Sequence, residues 1–286
     1  MICSVCGYEG VRRDFMTKGD FSYSRCAACG LYSLENIPLD LNSYYSEGYF
    51  SGDVELDGYV DYEAEKLQTV GVFKKYLKIL KNYKGVGHTL FEIGCATGFF
   101  LDLARADGWS VSGIDVSKYA TDRAIEKGLA VDSCSLEGYA KNNCDVFDAI
   151  VLLDTVEHLS TPVNDFKIIA TKLKSGGMLA FSTPDAGSLW AKIWRKKWHA
   201  FVPPQHINLF SRKNIEFLLK SNDLEQVYIG HFGKFFSLPY IFRLLKTWTS
   251  INFFGTLATF CNSNFLRHIS IPINVGDTMF IVARKI

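Results

Sequence analysis

Between residues 88 and 230 the chain alternates short apolar runs with amphipathic ones, and this alternation constrains its fold more than any other feature. Residues 89–93, Thr-Leu-Phe-Glu-Ile, read as a buried strand that runs into a glycine turn. The pattern then predicts a helix over 99–107 closed by Gly108, and a second strand over 110–114 that ends at Asp115. Ser117 is placed to cap a helix that runs to Lys127 and stops at Gly128. Residues 129–132 read as a third strand and the strongly apolar 147–153 as a fourth. A helix over 163–173, a turn at Gly176-Gly177 and a fifth strand over 178–182 follow. Ser211 caps a helix reaching Lys220, and 225–230 and 278–283 read as the last strands. Strands separated by helices at this spacing predict a doubly wound α/β sheet.

The glycine turn is Glu92-Ile93-Gly94-Cys95-Ala96-Thr97-Gly98. Gly94 and Gly98 let the backbone turn sharply and approach a ligand closely. A tight strand-to-helix connection would need no ligand at all. Asp115, 17 residues after Gly98, changes the balance, because a carboxylate at the end of a second strand can accept both hydroxyl hydrogens of a ribose. A P-loop is excluded, since no Gly-Lys-Ser/Thr follows, and the spacing is not G-x-G-x-x-G.

The segment Glu92 to Gly98 resembles the first motif of class I S-adenosylmethionine-dependent methyltransferases, and Gly113-Ile-Asp115-Val-Ser resembles their second. Phe147-Asp-Ala-Ile-Val-Leu-Leu-Asp154-Thr-Val-Glu157-His158-Leu is similar to their fourth, and Leu173-Lys-Ser-Gly-Gly-Met-Leu to the approach to their fifth strand. The resemblance covers residues 88 to about 230. It implies a Rossmann-like seven-stranded sheet with an antiparallel last strand. It further implies that Gly94, Ala96 and Gly98 pass beneath the methionine moiety, with Cys95 in the same turn and Glu92 supporting it. Asp115 would hold the ribose, Val116 would pack on the adenine, and Ser135 and Leu136 would flank the adenine edge, where the chain departs from the commoner acidic pattern. Asp154 and Thr155 would close over the methionine end. A sulfonium methyl is already activated, so positioning does most of the catalysis.

Eight cysteines are present, and half of them form two pairs, Cys3-x2-Cys6 and Cys26-x2-Cys29. Each pair can place two thiolates on one tetrahedral ion, with Gly7 and Gly30 at the following turns. Residues 1–40 are thus expected to form a structural zinc ribbon, folded by its metal. Four unrelated thiols are the plainer alternative. The ribbon and the tyrosines that follow (Tyr44, Tyr45, Tyr49) resemble the front of bacterial methyltransferases of glycan and natural-product biosynthesis. Residues 41–87 are expected to be a helical linker or lid, with Leu67, Val70, Phe73, Leu77 and Leu80 on one helix face, and residues 88–286 the methyltransferase domain.

A hydroxyl acceptor must lose its proton as the methyl arrives, and histidine suits that task near neutral pH. His158 follows the fourth strand, and His206 lies in an aromatic, proline-rich loop after the fifth; each is also consistent with a purely structural role. Of the two, His206 is the preferred base. Asp154, Glu157 and His158 are alternatively a divalent-metal set, as related quinone-precursor methyltransferases suggest.

Residues 235–272 form an apolar insert far longer than a usual connection, punctuated by Arg243, Lys246 and Arg267. It reads as a helical lid, a dimer surface, or, over 235–268, a peripheral membrane contact. The net charge is +1, so nothing demands a polyanionic partner, and nucleic acid is disfavoured. The paired cysteines and the missing signal-like N-terminus lead to the expectation of a cytoplasmic protein, with the inner membrane face as an alternative site. The overall expectation is O-methylation of a sugar, glycan intermediate or related small metabolite, with C- or N-methylation, or RNA binding or methylation through the ribbon, as rivals. The oligomeric state is left open.

Overall fold

The parallel strands of the central sheet come from the residues 89–184 that alternate apolar runs with helices. The computed structural model describes residues 2–38, 69–83, 87–249, 251–262 and 269–286, with single positions 40, 44, 66 and 266. Leu67, Tyr45, Tyr49, Gly85 and most of the 41–87 segment therefore lie outside the described residues, as does Arg267.

Near the N-terminus, β1 (Arg12–Lys18), β2 (Phe21–Cys26) and β3 (Tyr32–Leu34) pair antiparallel. Helix α1 (Val70–Asn82) buries Phe73, Tyr76, Leu77 and Leu80, and the Tyr76 ring stacks on Phe280 at 3.8 Å. The alternating region then gives β4 (Thr89–Ile93), α2 (Phe99–Ala106), β5 (Ser110–Asp115), α3 (Lys118–Glu126), β6 (Ala130–Ser133), α4 (Leu136–Asn142), β7 (Phe147–Leu153), α5 (Pro162–Lys172) and β8 (Leu173–Pro184). After it come α6 (Leu189–Trp194), β9 (Asn208–Leu209), α7 (Arg212–Lys220), β10 (Leu224–His231), β11 (Lys234–Ser237), α8 (Leu238–Thr249), α9 (Asn252–Asn262), β12 (Ser270–Ile273) and β13 (Thr278–Lys285).

The central sheet has seven strands in the order β10-β13-β8-β7-β4-β5-β6. β4 to β8 are mutually parallel where they pair, and β13 runs antiparallel to both its neighbours, as expected. β7 lies at the centre, and Ala149, Ile150, Val151 and Leu152 are fully buried. That burial on both faces explains an apolar run without alternation. One face is covered by α4, α5 and α7 through residues such as Tyr139, Phe166 and Leu218. The other is covered by α1, α2 and α3 through Leu77, Leu101 and Ala124.

One local expectation is corrected, and one helix adds to those read from the sequence. β8 begins at Leu173, which pairs with Phe147, and the next pair is Met178 with Ala149. Gly176, at φ 73°, lets the intervening residues bulge out, so the glycine pair lies within a strand rather than before one. α4 has only seven residues, too short to register as a period; Ser135 caps it, its hydroxyl accepting from the Gly138 N–H at 3.1 Å.

The N-terminal strands are joined to the rest of the molecule by a sheet. β3 pairs with β9, Tyr32 with Leu209 and Ser33 with Asn208, making a second, four-stranded sheet. Cys3, Val5, Cys26 and Leu31 share a core with Phe210, Ile215 and Leu218. The apolar insert forms the α8–α9 helical pair, closed at its base by the antiparallel β11–β12 ribbon. No helix among the described residues is long and apolar enough to cross a membrane.

Candidate active site

The glycine turn lies at the carboxyl ends of β4 and β5, where open α/β sheets bind ligands. Gly94 and Gly98 have φ of 74° and 76°. A Cβ on Gly94 would lie 2.6 Å from the Thr155 hydroxyl, and one on Gly98 would run into the Leu129 side chain, so the contacts reinforce a glycine requirement already set by the positive φ at both positions. Ala96 also adopts positive φ, 46°. That strain is held by Asp115, whose Oδ2 accepts from the Ala96 N–H at 2.8 Å while Oδ1 accepts from the Ser117 N–H at 2.8 Å. Burial pushes the Asp115 carboxyl above the ordinary range, and the backbone donors act against that rise.

Beneath the turn, Glu92 is 3% exposed, and among the described residues its Oε2 has no hydrogen-bond partner. Burial pushes its carboxyl well up; the Lys66 charge opposes this rise and the Asp115 charge adds to it. Burial likewise raises the Cys95 thiol, with the charges of Glu92 and Asp115 behind it. The cradle, an orphaned buried carboxylate oxygen and an adjacent ribose-type acid together fit an adenosyl cofactor with a cationic end. Val116 is 38% exposed beside Asp115, open to a planar ring. Thr155 donates to the Leu153 carbonyl at 3.1 Å and sits against Gly94. Asp154 has φ 51° and accepts from the Ser182 hydroxyl at 3.1 Å. Ser135 is engaged in capping α4, and Leu136 is buried, so what this pair offers a cofactor is backbone and the rim of an apolar wall.

The two histidines, 48 positions apart in the chain, come together. Their rings lie edge to face with centroids 5.0 Å apart. His158 Nδ1 donates to the Gln205 carbonyl at 2.8 Å, and His206 Nδ1 donates to the Ala200 carbonyl at 2.7 Å, because a carbonyl can only accept. Each neutral ring therefore presents Nε2 as an acceptor. Glu157, only 1% exposed, joins them: one ligand atom from each of Glu157, His158 and His206 lies within 4.8 Å of the others. Thr183 donates to Glu157 Oε2 at 2.9 Å, and the Ile207 N–H donates to the Glu157 carbonyl at 2.9 Å. Asp154, named from the sequence with Glu157 and His158, is not in this group, and His206 takes its place. Thr183, Gln205 and Tyr23, which donates to the His206 carbonyl, carry no chemical motif that would mark them in the sequence.

The four N-terminal cysteines also converge. Cys3 Sγ lies 3.7 Å from Cys29 Sγ, and Cys6 Sγ lies 3.8 Å from Cys26 Sγ. These are far too long for disulfides. They equal the edge of a tetrahedron of sulfurs set about 2.3 Å from a central zinc. The Gly7 and Gly30 N–H groups donate to the Cys3 and Cys26 carbonyls, forming the same tight turn in each pair.

The comparisons bear on the central sheet and its glycine turn. A ubiquinone biosynthesis O-methyltransferase of Nitrosococcus oceani is 29% identical over 158 residues, 48% of this chain and 67% of that protein. Further proteins of the same name align over 101 and 112 residues, so the chain spans less than half of their length. Among solved structures, a SAM-dependent methyltransferase of Archaeoglobus fulgidus shares the fold with a TM-score of 0.54 at 18% identity, over 83% of this chain and 99% of that one. Magnesium protoporphyrin IX methyltransferase of Synechocystis, with bound SAH, has a TM-score of 0.55 at 14% identity, over 86% and 98%. Residues 64–229, more than half of the chain, match the family model described as a methyltransferase domain. With its glycine cradle, its Asp115 and its seven-stranded sheet, the chain belongs to that family and is an S-adenosylmethionine-dependent methyltransferase.

Proposed function

We infer that the enzyme methylates a hydroxyl oxygen on a sugar, a glycan intermediate or a phenolic small metabolite. The observation that carries this reading is the convergence of His158, His206 and Glu157 beside Thr155, at the end of β7. An oxygen nucleophile needs a proton acceptor, and two imidazole Nε2 atoms backed by a buried carboxylate supply one. The curated relatives named above, ubiquinone biosynthesis O-methyltransferases, support oxygen as the atom.

In this reading the adenosyl cofactor, held by Glu92, Gly94, Cys95, Ala96, Gly98, Asp115, Val116, Ser135, Leu136, Asp154 and Thr155, supplies an electrophilic methyl. His206 takes the acceptor proton on Nε2. Its Nδ1–H stays on the Ala200 carbonyl, which fixes the ring plane. Glu157 offsets the positive charge that develops on the imidazole. His158 walls the acceptor on the other side. Residues 1–40 form a zinc ribbon on Cys3, Cys6, Cys26 and Cys29, which shapes the acceptor entrance through β3 and β9. Residues 41–87 are the linker or lid, and residues 88–286 the methyltransferase domain.

The test is an acceptor screen over sugar nucleotides, glycan intermediates and dihydroxyphenyl compounds, reading methylated product. His206→Ala and Glu157→Gln should lose roughly 100-fold or more in kcat and retain cofactor binding by calorimetry. Turnover at the wild-type rate in His206→Ala removes that residue from the mechanism, and a methylated carbon or nitrogen in the product overturns the oxygen assignment.

A further inference from the structure

The charge of this chain is unevenly placed. Residues 186–276 hold 11 of the 31 Lys and Arg but only 3 of the 30 Asp and Glu, so a chain of net charge +1 carries +8 there and −7 elsewhere. Those three acids, Glu216, Asp223 and Glu225, lie on or beside α7 and β10. The stretches 186–215 and 226–276 contain no acid at all.

Two pieces of these stretches set cations beside exposed apolar side chains. α6 exposes Leu189 (74%) and Ile193 (61%) together with Lys192, and the turn after it exposes Arg195, Lys196 and Lys197. The helical pair exposes Ile251 (51%) between its two helices, and Phe253 (63%) and Phe260 (58%) on α9. Phe253 and Phe260 are seven residues apart and share a face, while Ala258 and Cys261 pack inward. Arg243 and Lys246 are exposed on α8.

Both pieces leave one end of the central sheet. α6 follows Pro184 at the end of β8; the helical pair is inserted between β10 and β13, and Pro184 pairs with Thr278 at the start of β13. The Asp185 N–H donates to the Asp277 carbonyl at 2.8 Å, and the His199 and Phe236 rings are 6.2 Å apart. This is also the end at which Gly94, Asp115 and His158 lie.

We propose that this face docks on an anionic lipid bilayer, with Leu189, Ile193, Phe253 and Phe260 in the headgroup region and the lysines and arginines on lipid phosphates. Single exposed apolar residues are ordinary on any protein. Large ones interleaved with charge of one sign, over two elements at one end of a sheet, are the makings of an interfacial contact. A nucleic acid would satisfy the cations and leave the apolar side chains in water; a bilayer takes up both. Since no described helix can span, the contact lies on the surface. It places the mouth of the site toward the bilayer, and it stands whichever atom is methylated.

The purified whole chain is floated with vesicles of phosphatidylcholine alone and of phosphatidylcholine with phosphatidylglycerol. The chain is expected to float with the anionic vesicles only and to be released by salt. Lys192→Gln with Lys246→Gln, one cation from each piece, should lower partitioning roughly 30-fold, at about five-fold per cation. Phe253→Ser with Phe260→Ser should lower it as well. Cofactor binding by calorimetry, unchanged in every variant, shows that each is folded. Wild-type chain that binds cofactor and ignores both vesicles overturns the proposal. So does flotation that neither double variant changes, or retention by single-stranded RNA without retention by vesicles.

Discussion

The Tyr23 hydroxyl donates a hydrogen bond of 2.6 Å to the main-chain carbonyl of His206. Tyr23 stands on β2 in the cysteine-bearing sheet, 1% exposed, and burial raises its phenol, so it remains a donor throughout the working range. The bond ties the N-terminal sheet to the backbone that carries the proposed base. Tyr23→Phe removes it and leaves the His206 carbonyl with one donor fewer. The expected cost is about 1 kcal/mol in stability and roughly a ten-fold fall in kcat, with the cofactor dissociation constant unchanged. Steady-state rates beside calorimetry check this, and a loss confined to cofactor affinity would refute it.

Asp115 organises the cofactor turn twice over. It accepts from the Ala96 N–H in its strained conformation, and in the proposed reading its remaining lone pairs receive a ribose. Hydrogen bonds to a charged acceptor contribute about 1.5–3 kcal/mol each. Asp115→Ala should therefore weaken cofactor binding roughly a hundredfold or more, and Asp115→Asn, which keeps one acceptor, should weaken it less. Titration calorimetry on both variants reads the order directly.

Asp165, in the first turn of α5, is 8% exposed, and burial pushes its carboxyl up to about 6 despite the hydrogen bond from Thr161. A carboxyl raised in the fold contributes stability below its ordinary value, and that contribution is lost as pH rises from near 4 to about 6. Asp165→Asn, uncharged at every pH, should match wild type near pH 4 and exceed it by on the order of 1–3 kcal/mol at pH 7. Denaturant melts at the two pH values decide it; equal stability at pH 7 would place the carboxyl in its ordinary range.

Removal of metal by a strong chelator, or Cys6→Ser, should release zinc measurable by mass spectrometry and melt the β1–β3 sheet. Because β3 pairs with β9 and Tyr23 holds His206, turnover should fall with the metal while cofactor binding, built on β4 and β5, survives. Loss of both together would mean that the two sheets melt as one unit.

Much of the central sheet was legible because its signals are local. The run Phe147 to Leu153, the turn from Gly94 to Gly98 and the carboxylate at Asp115 each declare themselves within a few residues. The paired cysteines did the same. The meeting of His206 with His158 was not legible, since it depends on two backbone carbonyls, Ala200 and Gln205, and on the two-residue strand β9. A strand that short has no period to read. Replacement of Asp154 by His206 in the cluster with Glu157 has the same origin, because Asp154 turns away to Ser182 through a positive φ that no residue type announces. α4 was missed for its length, and the bulge in β8 because Gly176 serves a turn and a bulge equally well.

The pairing of β3 with β9 also sets an order of events during synthesis. Ser33 and Asn208, joined by a hydrogen bond of 2.9 Å, stand 175 residues apart. At the usual pace of translation, that separation is about 10–35 s of ribosome time. Through that interval the first strands have emerged while the edge they will share has not been made, and an unpaired β edge invites the wrong neighbour. If the four cysteines hold a metal early, as proposed, it would keep those strands folded and waiting, and the cysteine module would serve the nascent chain before it serves the finished enzyme.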